Sequence, residues 1–378
     1  MKLVELRDIT YNLDNKRIPL NSIERSKKES NPIYPYIGAN NIMGYIDEYI
    51  FDEKILCIAE DGGSWGKNET CAKIYNEKVW VNNHAHVITA RENLVLEYLM
   101  YYLNYADLNL YINGATRGKL TKSSLNSIQI PLPPLEQQKK IAAILDAADT
   151  YRQLTKALIA KYDELTQSLF LDMFGDPVKN EKGWGTDELN NLCRKISVGF
   201  VGTCEPYYCS QDVGVPMLRT GNLGEGFLRL NNLKYVTFDF HEKQKKSQLN
   251  SGDILIARHG DNGKAVLYNG EFEQANCLNI VVLRPNEKLN SMFIQFLLNN
   301  DSTRKKISGL TGGATQKVVN TKEIQQLIIP FPPTSIQNQF AERVQAIEVQ
   351  KAQAQASLEK AEELFASLLQ KAFKGELV

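Results

Sequence analysis

Few side chains in this sequence stand in patterns that make or break covalent bonds. Glycines precede a lysine in GSWGK (63–67), DNGK (261–264) and ATRGK (115–119), the ingredients of a phosphate-cradling loop. None of the three has the first glycine at the G-x-x-x-x-G-K-[ST] spacing that lets backbone amides wrap a phosphate. NPIYP (31–35) holds the residues of an Asn-Pro-Pro-Tyr-like methyltransferase motif in the wrong order, and FDEK (51–54) ends like the Asp/Glu-x-Lys of a metal nuclease without an earlier Pro-Asp. No Gly-x-Ser-x-Gly occurs, and the histidines at 84, 86, 241 and 259 form no triad that sequence reveals. Cysteines 57, 71, 193, 204, 209 and 277 contain no CxxC pair; Cys204 and Cys209 bracket EPYY, which is not a zinc spacing. The side chains suit hydrogen bonding better than catalysis, so no metal and no cofactor is expected in this chain.

The composition sets wide bounds. At 378 residues, 43% hydrophobic and 23% charged, the chain suits two globular domains or a few. No apolar run approaches the ~20 residues of a membrane span, and MKLVELRDIT lacks a signal peptide's apolar stretch. A cytoplasmic protein with no membrane partner is the expectation. Forty-four basic residues balance 44 acidic ones, so any polyanion site must be local. Local clusters exist at KRIPLNSIERSKK (16–28), TRGKLTK (116–122), HEKQKK (241–246), RHGDNGK (258–264) and RKK (304–306).

The elements behind these loops are written twice. IPLPP (130–134) precedes LEQQKKIAAIL, and IPFPP (329–333) precedes TSIQNQFAERV. An offset of 199 carries Gly114 onto Gly313, Pro131, Pro133 and Pro134 onto Pro330, Pro332 and Pro333, and Leu165, Leu169 and Phe174 onto Leu364, Leu368 and Phe373. The same offset lays KILCIA (54–59) on DILIAR (253–258), which makes Ala59 and Gly63 the counterparts of Arg258 and Asn262. So long a period means two large homologous units.

Each unit has a front part of short β-like runs with turn signals, such as KILCIAEDGG and DILIARHGDNG, and helical runs such as NLVLEYLMYYLN and SMFIQFLLNN. The double prolines forbid helix before them and start long helices near Glu136 and Ser335. In the first helix Ile141, Ile144, Ala148, Tyr151, Thr155, Leu158, Tyr162, Leu165 and Leu169 step by 3 and 4; in the second, Phe340, Val344, Ile347, Lys351, Ala354, Leu358, Ala361, Phe365, Leu368 and Ala372 do so. Such a heptad seam demands a partner helix. The predicted fold class is α+β: two pseudo-twofold-related mixed α/β domains separated by a long antiparallel two-helix coiled coil. The boundaries read 1–133, 134–176, 177–332 and 333–378.

GATRGKLTKSSLNSIQIPLPPLEQQKKIAAIL, GGATQKVVNTKEIQQLIIPFPPTSIQNQF and the closing LLQKAFKGEL make the chain resemble the specificity subunit of a type I restriction–modification system, over its whole length. The resemblance implies a non-catalytic subunit whose two target-recognition domains read a split double-stranded DNA sequence. It implies that the helices set the spacing and dock two methyltransferase subunits, with nuclease/translocase subunits completing the complex. S-adenosylmethionine, ATP and Mg are then expected only in those partners. Gln138 and Gln337 are the polar residues that coincide between the two helix starts, which marks them for partner binding. A duplicated protein–protein scaffold without DNA contact is the competing class, favoured by the neutral net charge.

Three loop sets at equivalent places are the candidate DNA readers. After the ILCIA and ILIAR strands stand Asp61, Ser64, Trp65 and Lys67, against Arg258, His259, Asp261, Asn262 and Lys264. IGANN (37–41) against LRTGN (218–222) supplies Asn40, Asn41, Arg219 and Asn222. Before the proline strands stand Thr116, Arg117 and Lys119, with Thr315, Gln316 and Lys317, whose similarity suits phosphate contact. Arg, Asn and Lys carry donors that match guanine and adenine edges in the major groove.

Overall fold

The computed structural model describes residues 2–39, 41–114, 117–259, 263–310 and 319–377. The chain divides into two compact units, 1–157 with 355–378, and 158–354. Both divisions fall inside long helices, Leu135–Phe174 and Thr334–Lys374, so each unit owns part of both. The boundaries drawn from sequence had set the helices apart from the heads.

In the first unit, a four-stranded antiparallel sheet runs in the order Thr10–Asn12, Ala85–Ala90, Ile55–Ala59, Ala72–Tyr75. One face, through Leu56, Ile58 and Ile88, meets the helix Leu96–Tyr105 and the start of the first long helix at Ile141, Ala142 and Leu145. The other face, through Ile55, Cys57 and Val87, meets a smaller sheet in which Tyr34–Ile37 pairs parallel with Trp80–Val81. The end of the second long helix completes this core with Phe365, Leu369 and Ala372, and Phe373 lies against Tyr98, Tyr102 and Tyr105 at 5.1–5.6 Å.

The second unit repeats the plan. Its main sheet runs Cys193–Val198, Ile280–Pro285, Ile254–Ala257, Ala265–Leu267, and its second sheet pairs Gly214–Arg219 parallel with Asn276–Leu278. Here the first long helix supplies its end: Phe174 stacks edge-on to Phe293 at 4.7 Å and Phe340 at 5.3 Å. Gly175, at φ +76°, then ends that helix in a conformation that costs a residue with a Cβ.

The two helices run antiparallel within each unit. Lys156 pairs with Glu362 at 2.8 Å in the first, and Lys351 pairs with Asp163 in the second. The seam expected on the second helix is the packed one, since none of its ten residues from Phe340 to Ala372 is exposed. On the first helix half the expectation is wrong. Ile141, Ala148, Thr155, Tyr162 and Leu169 are packed, but Ile144, Tyr151, Leu158 and Leu165 are 37–55% exposed. Leu145, Arg152, Ile159 and Thr166 take the alternate positions instead. Leu145 is drawn in by the head, Arg152 lies over the Phe365 ring at 4.2 Å, and Thr166 satisfies its hydroxyl on the Tyr162 carbonyl at 2.6 Å.

One strand of the repeat is also out of step. Asn104 accepts from the Ala72 amide and donates to the Ala72 carbonyl; Asn299 does both to Ala265. Ala72 pairs with Ile58, and Ala265 with Ile256, an offset of 198 between the central strands. The next residues agree: the Leu120 amide donates to the Glu60 carbonyl at 2.7 Å, and the Val319 amide to the Arg258 carbonyl at 3.1 Å. Glu60, not Ala59, is therefore the counterpart of Arg258. The offset of 199 would have turned every side chain of the strand to the wrong face.

Candidate nucleic-acid interface

In the first unit the loop after Ile55–Ala59, the turn at 82–84 and the ribbon of Ile112–Asn113 with Lys119–Leu120 converge. Asp61 lies opposite Lys119 as an isolated antiparallel bridge, and the Gly62 amide donates to the Gly118 carbonyl at 3.2 Å. Trp65 anchors this loop from below. It is 6% exposed, and its Nε1 donates to the Ala59 carbonyl at 3.2 Å. Gly62, at φ +63°, faces Arg117: a Cβ there would stand 3.1 Å from a guanidinium nitrogen.

Charged groups fill the convergence. Asp61 Oδ1 accepts from Arg117 Nη2 at 3.0 Å and lies 2.8 Å from His84 Nδ1. Beneath them Glu60 accepts from Arg17 Nη1 at 2.6 Å and pairs with Lys119 Nζ at 3.1 Å. Burial works to raise the Glu60 carboxyl, but the bonds from Arg17 and Lys119 and the nearby His86 hold it below its ordinary value. Deeper still, Asp14 accepts from the Val87 amide and the Asn12 side chain and meets His86 Nδ1 at 2.7 Å. Burial again opposes ionisation, and these bonds with the imidazole overcome it, drawing Asp14 down to about 2. The outermost side chains stay accessible: Arg117 is 66% and Lys119 49% exposed. Acceptors below and exposed donors above make a surface that can grip phosphates or base edges.

The sequence candidates sort by depth. Asp61, Arg117 and Lys119 come together in this cluster, with Ser64 and Lys67 exposed on the neighbouring loop. Lys67 Nζ lies 5.7 Å over Tyr105. Asn41 is exposed in the other loop set. In the second unit His259 is exposed, and Arg258 and Arg219 are half-buried, each with an Nε that makes no hydrogen bond. Asn40, Thr116, Asp261, Asn262, Thr315, Gln316 and Lys317 lie outside the described residues.

Five candidates need correction, because they are buried. Trp65 is the anchor of its loop. Asn222, 3% exposed, clamps a turn by accepting from the Arg219 amide and donating to the Arg229 carbonyl, both at 3.0 Å. Lys264, 6% exposed, pairs with Glu225 at 3.3 Å. Gln138 and Gln337 are each wholly buried. Gln138 accepts from the Val95 amide and donates to the Asn93 and Pro133 carbonyls at 2.9–3.0 Å. Gln337 does the same with the Asn290 amide and the Lys288 and Pro332 carbonyls at 2.7–2.9 Å. These amides fasten each long helix to its head and offer no group to a partner. Sequence reasoning did not place His84, His86, Glu60, Arg17 or Asp14 in the site; the signals available were HAH (84–86) beside a strand and the basic run 16–28 that contains Arg17.

Comparison with known proteins places this arrangement. The family model described as the type I restriction modification DNA specificity domain matches twice, over residues 1–162 and 182–362. The chain is 30% identical over 340 residues to the type I restriction enzyme specificity subunit S.HindORF215P of Haemophilus influenzae, covering 89% of this chain and 84% of that one. It is 24% identical over 344 residues to the MjaVIII specificity subunit of Methanocaldococcus jannaschii, covering 83% and 79%. The crystal structure of the type I restriction–modification S subunit from M. genitalium superposes with a TM-score of 0.63 at 13% identity, over 98% of this chain and 95% of that one. Among the described residues no helix is long and apolar enough to cross a membrane. A twice-matched family model and a 30% identical relative over most of both lengths assign the chain: it belongs to the type I restriction–modification specificity subunits, the non-catalytic, DNA-target-recognising components of such systems.

Proposed function

We propose that this subunit reads a bipartite double-stranded DNA target, one half-site per recognition unit. The observation that carries the reading is the exchange of Glu60 for Arg258 at one place of the repeated scaffold. The first unit puts a carboxylate there to hold Lys119, while the second puts a guanidinium there directly. Readers of unlike half-sites need unlike donors, whereas a scaffold has no use for a charge reversal at matched loops. Partners supply the chemistry: two methyltransferase subunits with S-adenosylmethionine, and nuclease/translocase subunits with ATP and Mg, all in the cytoplasm. The docking surface for the methyltransferases is the outward apolar side of the first long helix, at Ile144, Tyr151 and Leu154 in the first unit and at Leu158 and Leu165 in the second.

The test is methylation by the reconstituted complex on oligonucleotides substituted singly in each half-site. Arg258→Ala should relax discrimination in one half-site by ~1–3 kcal/mol per lost bidentate contact and leave the other intact. Arg117→Ala should act on the other half-site. Uniform loss over every substitution would assign these residues to the backbone or to loop structure and favour a scaffold.

A further inference from the structure

Among the described residues, the buried ionic group under the first unit's loop has no counterpart at the matching places of the second. By the offset of 195 that relates Ala85–Ala90 to Ile280–Pro285, Val281 stands where His86 does, and its cross-strand neighbour is Val198. The same sheet thus folds with an apolar pair at this place. Burying charge costs several kcal/mol per ion before pairing returns it, so stability of the sheet does not explain His86, which is 1% exposed.

Its contacts do explain it. Nε2 lies 2.7 Å from the Leu120 carbonyl, on the ribbon that presents Arg117 and Lys119, and Nδ1 lies 2.7 Å from Asp14 Oδ2. A carbonyl oxygen only accepts, and the Asp14 carboxylate, held down to about 2, only accepts as well. Each ring nitrogen therefore faces an acceptor, and the ring bridges Asp14 to the ribbon. Every element around it supplies a charge. Asp14 and Arg17 come from the turn after Thr10–Asn12, with Arg17 Nε 3.6 Å from Asp14. Glu60 is 3.7 Å from Nδ1 and ties down Lys119 of the ribbon. Cys57 is the nearby titratable group on the central strand, and burial drives its thiol far upward, so it stays neutral.

We infer that His86 is a positioning residue for the first half-site: clamped between Asp14 and the Leu120 carbonyl, it sets the height of the ribbon carrying Arg117 and Lys119. The inference rests on the reading of this loop as DNA-facing. Loss of the clamp should lower discrimination at the first half-site and leave the second, built on valines, unchanged.

The experiment compares wild type with the double variant Asp14→Val/His86→Val, which imports the second unit's pair, in the reconstituted complex. In the double variant first-half-site discrimination should fall severalfold while the second half-site's holds, and His86→Gln, which keeps one donor, should fall between the two. Hydrogen exchange of the Leu120 amide, read on the subunit without DNA, should quicken in the variant. Arg117→Ala and Lys119→Ala run alongside: if they leave both DNA affinity and the first half-site's discrimination unchanged, the DNA-facing reading fails. If they lower it but the double variant discriminates at the first half-site as wild type does, the positioning role alone is overturned. Unchanged exchange at Leu120 would overturn it too, with no DNA needed. Should the double variant not fold, His86→Gln decides by the same two readouts, half-site discrimination and Leu120 exchange.

Discussion

Gln138 and Gln337 show how a residue is flagged by sequence and explained only by structure. Their coincidence in both copies marked them, but their type suggested a surface contact, and burial is not written in a single letter. Each satisfies an amide and two carbonyls that water cannot reach, so Gln138→Ala leaves three backbone groups unpaired. At ~1–3 kcal/mol for each buried unsatisfied group, the variant should unfold several degrees below wild type, as should Gln337→Ala, with thermal melting as the measurement. A melting point equal to wild type with impaired assembly would restore the docking role. Asp14 gives a second test at this scale. Its carboxyl is drawn from 3.8 to about 2 in the folded chain, so its stabilisation is complete above about pH 4 and is lost as pH falls toward 2. Acid titration followed by circular dichroism should show Asp14→Asn losing less stability than wild type across that window. Equal loss would mean the carboxylate is not engaged. Arg117, Lys119 and Asp61 were legible as site residues, whereas Asp14 and Glu60 were not, and the pairing of Asp61 with Arg117 was not, because these acids are distant in sequence from both donors.

Among the elements, the proline-closed strands and the helices after them were the clearest text, since a missing N–H and a fixed φ act locally. The central strands were legible as strands but not in register. Period-2 alternation fails when both faces are buried, as every residue of Ile55–Ala59 is, so a slip of one residue left no trace in the sequence. The first long helix failed differently: it offers apolar residues on two adjoining stripes, and periodicity cannot say which one faces the partner helix. That ambiguity makes a prediction. Leu145→Ala, in the core stripe, should cost ~2–5 kcal/mol in unfolding free energy. Tyr151→Glu with Leu154→Glu should leave unfolding nearly unchanged and weaken capture of the methyltransferase about tenfold or more, measured by titration against the partner subunit. Undiminished capture would move the docking surface elsewhere.

For the molecule as a whole, the tandem repeat carried the architecture. Two copies in register specify two heads of one plan, whatever their loops do. What the repeat could not convey is that each head takes the beginning of one long helix and the end of the other, because the letters do not record which helix end fills which core. Phe174 in the second unit and Phe373 in the first do that. Catalysis tests the division of labour: the purified chain should transfer no methyl group from S-adenosylmethionine to DNA until a methyltransferase is added. Turnover by the single chain would end the adaptor reading.

The strand register bears on anyone who grafts one head's loops onto the other. Cut at the proline strands, where Gln129–Pro131 and Ile328–Pro330 differ by 199 residues, a chimera keeps its joints aligned and both glutamine fasteners intact. Cut inside the central strand by the same arithmetic, it gains or loses one residue, turns Leu56 and Ile58 out of the core they fill, and yields a hybrid that misfolds before its specificity is ever read.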